Sequence, residues 1–112
     1  MAGQAASIKD VFEQHMPDRL KSKPDLVGKI NAVYQFNITG PGGGQWAVDC
    51  VTPGGVVTAG SSASAKCTVT ASEGDFLNIV NGKLNAQMAF MMGKLKIQGD
   101  MGLALKLAQL LG

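Results

Sequence analysis

Residues 30–51 read Ile30-Asn31-Ala32-Val33-Tyr34-Gln35-Phe36-Asn37-Ile38-Thr39, then Gly40-Pro41-Gly42-Gly43-Gly44, then Gln45-Trp46-Ala47-Val48-Asp49-Cys50-Val51. In the first part Ile30, Ala32, Tyr34, Phe36 and Ile38 recur at every second position, with Asn31, Gln35 and Asn37 between them. A period of two sends alternate side chains to opposite faces of a strand, so this stretch predicts a half-buried strand from Ile30 to Ile38. The glycine-rich break ends it. Trp46, Val48 and Cys50 then alternate with Ala47, Asp49 and Val51 in a second strand, and the pair reads as a hairpin.

Toward the C-terminus, Pro53-Gly54-Gly55 supplies a turn before a strand at Val56 to Ala59. After a small polar loop, Gly60 to Lys66, the run Cys67-Thr68-Val69-Thr70-Ala71 predicts a fourth strand. Ser72 followed three residues later by Asp75 has the spacing of a helix N-cap; Phe76, Leu77 and Val80 supply the buried face, and Gly82 stops the helix. Asn85 caps a second short helix, Ala86 to Met92, closed by Gly93. Leu95 and Ile97 alternate with Lys94, Lys96 and Gln98 in a fifth strand, and Gly99-Asp100 turns the chain into a last helix.

Toward the N-terminus, Ser7 and Asp10 repeat the capping spacing, and Ile8, Val11 and Phe12 share one helical face. Pro17 predicts a break before a further turn through Leu20, and Pro24 to Val27 a short turn closed by Gly28. The fold class is therefore α+β, with a flexible segment over residues 1–7 and one domain over 8–112.

The chain has 112 residues, 46% apolar and 16% charged, which excludes a disordered polyelectrolyte and exceeds what one compact core needs. Ten basic against eight acidic residues leave a net charge of +2, with no basic run interleaved with aromatics, so nucleic acid is not an expected partner. Cys50 and Cys67 form no CxxC pair and read as reduced, buried, small apolar residues. His15 lies beside Glu13 and Gln14 with no cluster of further ligands, and it reads as a solvated helix position. No nucleophile elbow, HExxH motif or carboxylate pair is present, so the expectation is a protein that is not an enzyme and holds neither metal nor cofactor. Gly42 to Gly44 precede a strand, whereas a phosphate cradle opens a helix, so they read as hairpin glycines.

The apolar surplus collects at the C-terminal end. From Met101 to Leu111 the only polar side chains are Lys106 and Gln109, and one sheet face cannot bury all the rest. Met88, Met91, Met92 and Met101 are four of the chain's six methionines, and unbranched thioethers suit a surface that repacks around varied apolar ligands. A cavity wall and ordinary core packing with a partner contact both fit this pattern.

The stretch Asp75-Phe76-Leu77, Gly82-Lys83-Leu84-Asn85, Gln87, Ala89-Phe90, Gly93-Lys94-Leu95-Lys96-Ile97, Gly99 and Met101-Gly102-Leu103-Ala104 resembles the sterol carrier protein 2 family. Upstream, Val11-Phe12-Glu13, Ile30 to Phe36, Trp46-Ala47-Val48-Asp49 and Cys67-Thr68-Val69-Thr70 resemble it in order and spacing, so the likeness runs from about residue 8 to 111. The resemblance implies a five-stranded twisted sheet covered on one face by helices, with a hydrophobic tunnel between them for fatty acids, fatty acyl-CoAs or sterols. Carried over by position, it implies a tunnel walled by Phe76, Leu77, Met88, Phe90, Met91, Leu95, Ile97, Met101, Leu103, Leu105 and Leu107. Phe36 and Trp46 would contribute from the sheet, and Gln87 would lie close to the ligand. The chain departs from the family at Ala86, where many members have proline, and at Phe90-Met91, where aromatic pairs are common.

The resulting expectation is an intracellular carrier that holds a lipid without converting it, the alternative being an accessory docking domain of a lipid-metabolising enzyme. Lys83, Lys94, Lys96 and Lys106 could draw a carboxylate, a CoA phosphate or an anionic membrane toward the tunnel mouth. Transient contacts with membranes or lipid-metabolising enzymes would follow, and a monomer is expected. Met1 to Ser7 lacks the pattern of a signal peptide and Leu110-Leu111-Gly112 is not a peroxisomal Ser-Lys-Leu signal, so a cytoplasmic location is expected, with peroxisomal association as the family's other setting.

Overall fold

The computed structural model describes residues 7–52 and 55–111, without the side chains of residues 108 and 111. The expected flexible segment up to residue 6 and the turn residues 53 and 54 lie outside it.

The N-terminal layer is one continuous helical path: α1 (Ile8–Asp10), a π-helical stretch (Val11–His15) and α2 (Met16–Ser22), then α3 (Pro24–Ile30). Ser7 caps the first turn, its Oγ accepting from the Asp10 N–H at 3.1 Å. The break expected at Pro17 takes the form of the π turn. Proline has no N–H to donate to the carbonyl four residues back and its ring crowds that carbonyl. The backbone is wound with Met16 N–H donating to the Val11 carbonyl just before it, so the helix continues to Ser22.

α3 also runs past the Gly28 stop that the sequence predicts. It ends at Asn31, which adopts the left-handed conformation (φ 43°) and donates its N–H to the Val27 carbonyl. Ile30 therefore belongs to the helix, and the first strand starts at Val33. The physical reason is that Ile30 satisfies two periods at once: two residues from Ala32, and three from Val27 on the buried side of α3.

Five strands follow the predicted order: β1 (Val33–Thr39), β2 (Gly44–Asp49), β3 (Val56–Ala59), β4 (Cys67–Ser72) and β5 (Leu95–Gly99). They form one sheet in the order β3-β2-β1-β4-β5, with β1 and β4 parallel and the other pairs antiparallel. β1 and β2 join through residues 40–43, where a side chain on Gly43 would collide with the Ile38 carbonyl. The Gly40–Gly44 run is thus a hairpin, as its position before a strand implies. The helices α4 (Glu73–Val80), α5 (Ala86–Met91) and α6 (Met101–Leu111) complete the chain. Ser72 caps α4, and Asn85 caps α5 through Oδ1, which accepts from the Gln87 and Met88 N–H groups.

Register explains why the helices lie on one face. Ala59, Trp46, Phe36, Val69 and Ile97 stand side by side across all five strands. On that row Phe36 and Val69 are fully buried. Phe12, on the π turn, stacks on Trp46 and on Phe76 with ring centroids 5.1 and 5.6 Å apart, and lies tilted against Phe36 at 5.3 Å. The opposite face is covered in part by residues 60–66, which cross it to join β3 to β4. There Gln35 is buried beneath them: its Oε1 accepts from the Ser62 N–H at 2.7 Å. The polar positions of β1 thus serve a crossover as well as solvent.

Phe12 touches three of these aromatic rings, so Phe12→Ala should cost about 3–5 kcal/mol. Thermal unfolding followed by Trp46 fluorescence should show a Tm lower by more than roughly 10 °C; a shift within a degree or two would show that the cluster is not the centre of the core.

Candidate functional site

The two C-terminal helices are fastened by backbone caps and by one buried side-chain bond. α5 closes with Gly93 in a left-handed conformation (φ 78°), its N–H donating to the Phe90 carbonyl and the Lys94 N–H to that of Ala89. Only Ala89 of α5 is buried. This helix is held by a small residue and its two ends, with its larger side chains directed outward. β5 leaves it through Lys94 and turns at Gly99, where a side chain would strike the Lys66 carbonyl. Asp100 then caps α6, its Oδ1 accepting from the Gly102 and Leu103 N–H groups at 2.8 and 3.4 Å.

α6 is tied to the rest of the molecule at three levels. The Tyr34 hydroxyl, fully buried, donates to the Leu103 carbonyl at 2.6 Å. Lys106 Nζ donates to the Lys29 carbonyl, and Lys23 Nζ to that of Gln109. Burial pushes the Tyr34 phenol well above its usual 10, with Cys50, Cys67 and Asp100 adding to the effect, so the group stays a neutral donor. Its length and position on the central strand set the height of α6 above the sheet.

Held in this way, α5, β5 and α6 enclose an apolar cleft of about 380 Å³, lined by Ala86, Gln87, Phe90, Met91, Leu95, Ile97, Met101, Gly102, Ala104, Leu105 and Leu107. Leu95 is buried and Ile97 partly so, and they supply the floor; Met91 (84% exposed) and Leu105 (63%) stand at the mouth. Gln87 carries the one polar side chain among the lining residues. The size falls within the range of small-molecule sites, roughly 300–1,000 Å³.

Of the positions singled out from the sequence, Gln87, Phe90, Met91, Leu95, Ile97, Met101, Leu105 and Leu107 come together around this cleft. Phe36 and Phe76 are instead buried in the aromatic cluster, and Trp46 stacks there on Phe12. Leu77 packs against the core, Leu103 is buried on the inner side of α6, and Met88 is exposed on α5 outside the lining. Ala86, Gly102 and Ala104 line the cleft without having been named as walls from the sequence. Their signal is smallness: a cavity forms where side chains stop short, whereas a search for large apolar residues finds both walls and core.

Cys50 and Cys67 are free and buried, and burial pushes both thiols up to about 11. His15 stands 3.5 Å from an Asp10 carboxylate oxygen, and among the described residues no group of three or more His, Cys, Asp or Glu side chains gathers. No helix among them is long and apolar enough to cross a membrane.

With this geometry in place, the comparisons with known proteins agree. The model of the SCP-2 sterol transfer family matches residues 11–112. The chain belongs to that family. It is 46% identical over 88 residues to human sterol carrier protein 2, an alignment that covers 76% of this chain and 16% of that protein. The chain thus spans about a sixth of the length of that relative. Sterol carrier protein 2 from Yarrowia lipolytica superposes with a TM-score of 0.74 at 32% identity, covering 99% of this chain and 93% of that one. Palmitated SCP2L2 from Aedes aegypti gives 0.67 at 32% identity, with 94% of each chain covered. Membership agrees with the resemblance read from residues 75–104 and with its five-stranded α+β fold.

Tyr34→Phe should remove about 1–2 kcal/mol by deleting the buried donor to Leu103. A Tm lower by roughly 4–8 °C is expected, and an unchanged Tm would mean that α6 is held without it. The thiols give a pH dependence of definite sign. A group that ionises near 11 when folded and near 9 when unfolded keeps its proton through that window only in the folded chain. Unfolding there releases protons, so stability contributed by the thiols is present below pH 9 and lost as pH rises toward 11. Urea midpoints measured across this range should fall more steeply for the native chain than for a Cys50→Ala, Cys67→Ala variant; parallel curves would contradict the assignment.

Proposed function

We propose that this chain is a lipid carrier: it shields the apolar part of a fatty acid, fatty acyl-CoA or sterol-like lipid from water in the cleft between α5, β5 and α6, and releases it unchanged. The observation that carries this reading is the composition of the cleft, which offers aliphatic, thioether and aromatic surface and a single amide. Such a lining rewards a ligand for leaving water and supplies no nucleophile, acid or base to transform it.

The energetics suit a long-chain ligand. At about 0.8 kcal/mol per buried methylene, an acyl chain of about a dozen carbons gains on the order of 10 kcal/mol before the cost of association is subtracted. The remainder corresponds to reversible binding. The methionines at 91 and 101 can change rotamer cheaply to fit chains of different shape, which supports a broad preference. Gln87, as the polar lining residue, is the natural partner of a carboxylate or other polar head.

Two relatives support the same class of ligand: one is named a sterol carrier protein, and the solved Aedes aegypti relative is described as palmitated. The carrier would work as a monomer, with no resident cofactor. Its cleft can serve equally as a module of a longer chain, delivering the lipid to an attached enzyme.

The direct test is to extract the purified protein with organic solvent and identify bound lipid by mass spectrometry, then to titrate the delipidated protein with a fluorescent fatty acid. Leu105→Asp places a charge at the mouth of the cleft on a residue that is largely exposed, so its folding stability should change by less than about 1 kcal/mol. Fatty-acid affinity should fall at least about tenfold, since a charge facing the bound chain must be desolvated. An empty extract together with no saturable probe binding would refute the carrier reading.

A further inference from the structure

The two edges of the sheet are finished differently. Lys94 immediately precedes β5 and Lys96 lies within it, and charge of this kind is a common guard against pairing with a foreign strand. β3, at the other edge, has no such guard. Residues 51–65 contain no charged side chain, and β3 itself reads Val56-Val57-Thr58-Ala59, β-branched at three of its four positions and without proline. Two large apolar side chains are exposed among the described residues outside α5, its C-cap and α6; these are Val51 and Val56, at the start of the turn into β3 and in β3 itself.

The ladder shows which backbone groups of this edge are free. Gly60 N–H donates to the Gln45 carbonyl at 2.8 Å, so residues 45 and 60 are a hydrogen-bonded pair of the antiparallel β2–β3 ladder. Such pairs alternate, which directs the N–H and C=O of Val56 and Thr58 toward β2 and those of Val57 and Ala59 outward. Among the described residues no other backbone group meets these four outward ones. The free stretch is bounded at both ends. Gly55, with φ 74°, donates its N–H to the Thr52 carbonyl, and Gly60 turns the chain away with φ 106°.

We infer that β3 pairs with β3 of a second copy of this chain, antiparallel about a two-fold axis through Thr58, joining the two sheets into one. This register uses all four outward groups, with Val57 of each copy opposite Ala59 of the other. Centring the axis on Val57 would set Ala59 against Gly55, whose N–H is already engaged in the turn. A two-fold contact needs a surface complementary to itself, and alternating backbone donors and acceptors on an uncharged strand supply one. The helices do not obstruct it: Leu20 of α2 packs where a side chain on Gly55 would stand, at one end of β3, so the axis places the two α2 helices at opposite ends of the seam. Each cleft is built on β5 at the far edge of its own sheet and is complete within one chain. The pairing therefore goes beyond the carrier reading and does not depend on it. An extended segment of another protein could use the same backbone groups, but only self-pairing raises the mass of the purified chain.

The seam is short, and interfaces of small area are weak. Sedimentation equilibrium of the purified chain from about 10 µM to about 1 mM should show a mass rising from 11.6 kDa toward twice that value. Thr58→Lys sets two ammonium groups face to face, and Ala59→Pro removes an outward N–H while leaving the bonds to β2 in place. Each should weaken association at least about tenfold; Thr58→Lys, at an exposed position, should keep Tm within about 4 °C and fatty-acid affinity within about twofold of the native chain. Thr58→Cys places two thiols across a non-hydrogen-bonded pair with Cα atoms about 4.5 Å apart, inside the roughly 4.4–6.8 Å that a disulfide spans. Mild oxidation should cross-link it at least about tenfold faster than Ser64→Cys, an exposed position off the axis, and the native Cys50 and Cys67 are buried and do not compete. A constant mass up to about 1 mM, a dimer that survives both Thr58→Lys and Ala59→Pro, or equal cross-linking of the two cysteine variants would overturn the pairing.

Discussion

Phe12 in contact with Phe36, Trp46 and Phe76 is the packing constraint on which the rest of the molecule depends. Four large rings from the first helical layer, two strands and α4 meet at one end of the core, and rings of this size, once interlocked, leave few alternatives for the elements that carry them. The N-terminal helix must pass over β1 and β2, and α4 must return beside it. Pro17 and the π turn fit this arrangement: the turn keeps the helical path unbroken past a residue that cannot donate a backbone hydrogen bond.

The other end of the same core is built differently. The row that begins with Ala59, Trp46 and Phe36 ends at Val69 and Ile97, and there the cover consists of α5 and α6, with alanine, glycine, leucine and methionine and the single ring of Phe90 in place of an interlocked cluster. Tyr34 holds α6 at the boundary between the two halves through its bond to the Leu103 carbonyl. A closely packed aromatic half supplies stability, and a loosely covered aliphatic half supplies space. The division gives physical content to the functional reading, because a carrier needs a rigid frame on one side of a cavity that can repack on the other.

Much of this was legible in the residues themselves. Alternation at 32–38, 46–50 and 95–97, the caps at Ser7, Ser72 and Asn85 and the stops at Gly82 and Gly93 are local signals, and each acts through bonds or faces within a few residues; the motif from Asp75 to Ala104 added the family. Local signals were ambiguous at Ile30, which fits a helix face and a strand face equally, and at Pro17, where a break and a π turn relieve the same clash. What only the tertiary structure decided was which apolar residues fill the core and which border a space. Phe36, Phe76 and Leu103 are as apolar as Phe90, Leu105 and Leu107, and no local pattern separates them. The distinction arises from the volume left when helices fixed by distant contacts, such as Tyr34 to Leu103, settle over the sheet: a cavity is a property of what surrounds it, and composition along the chain records only the side chains available to line it.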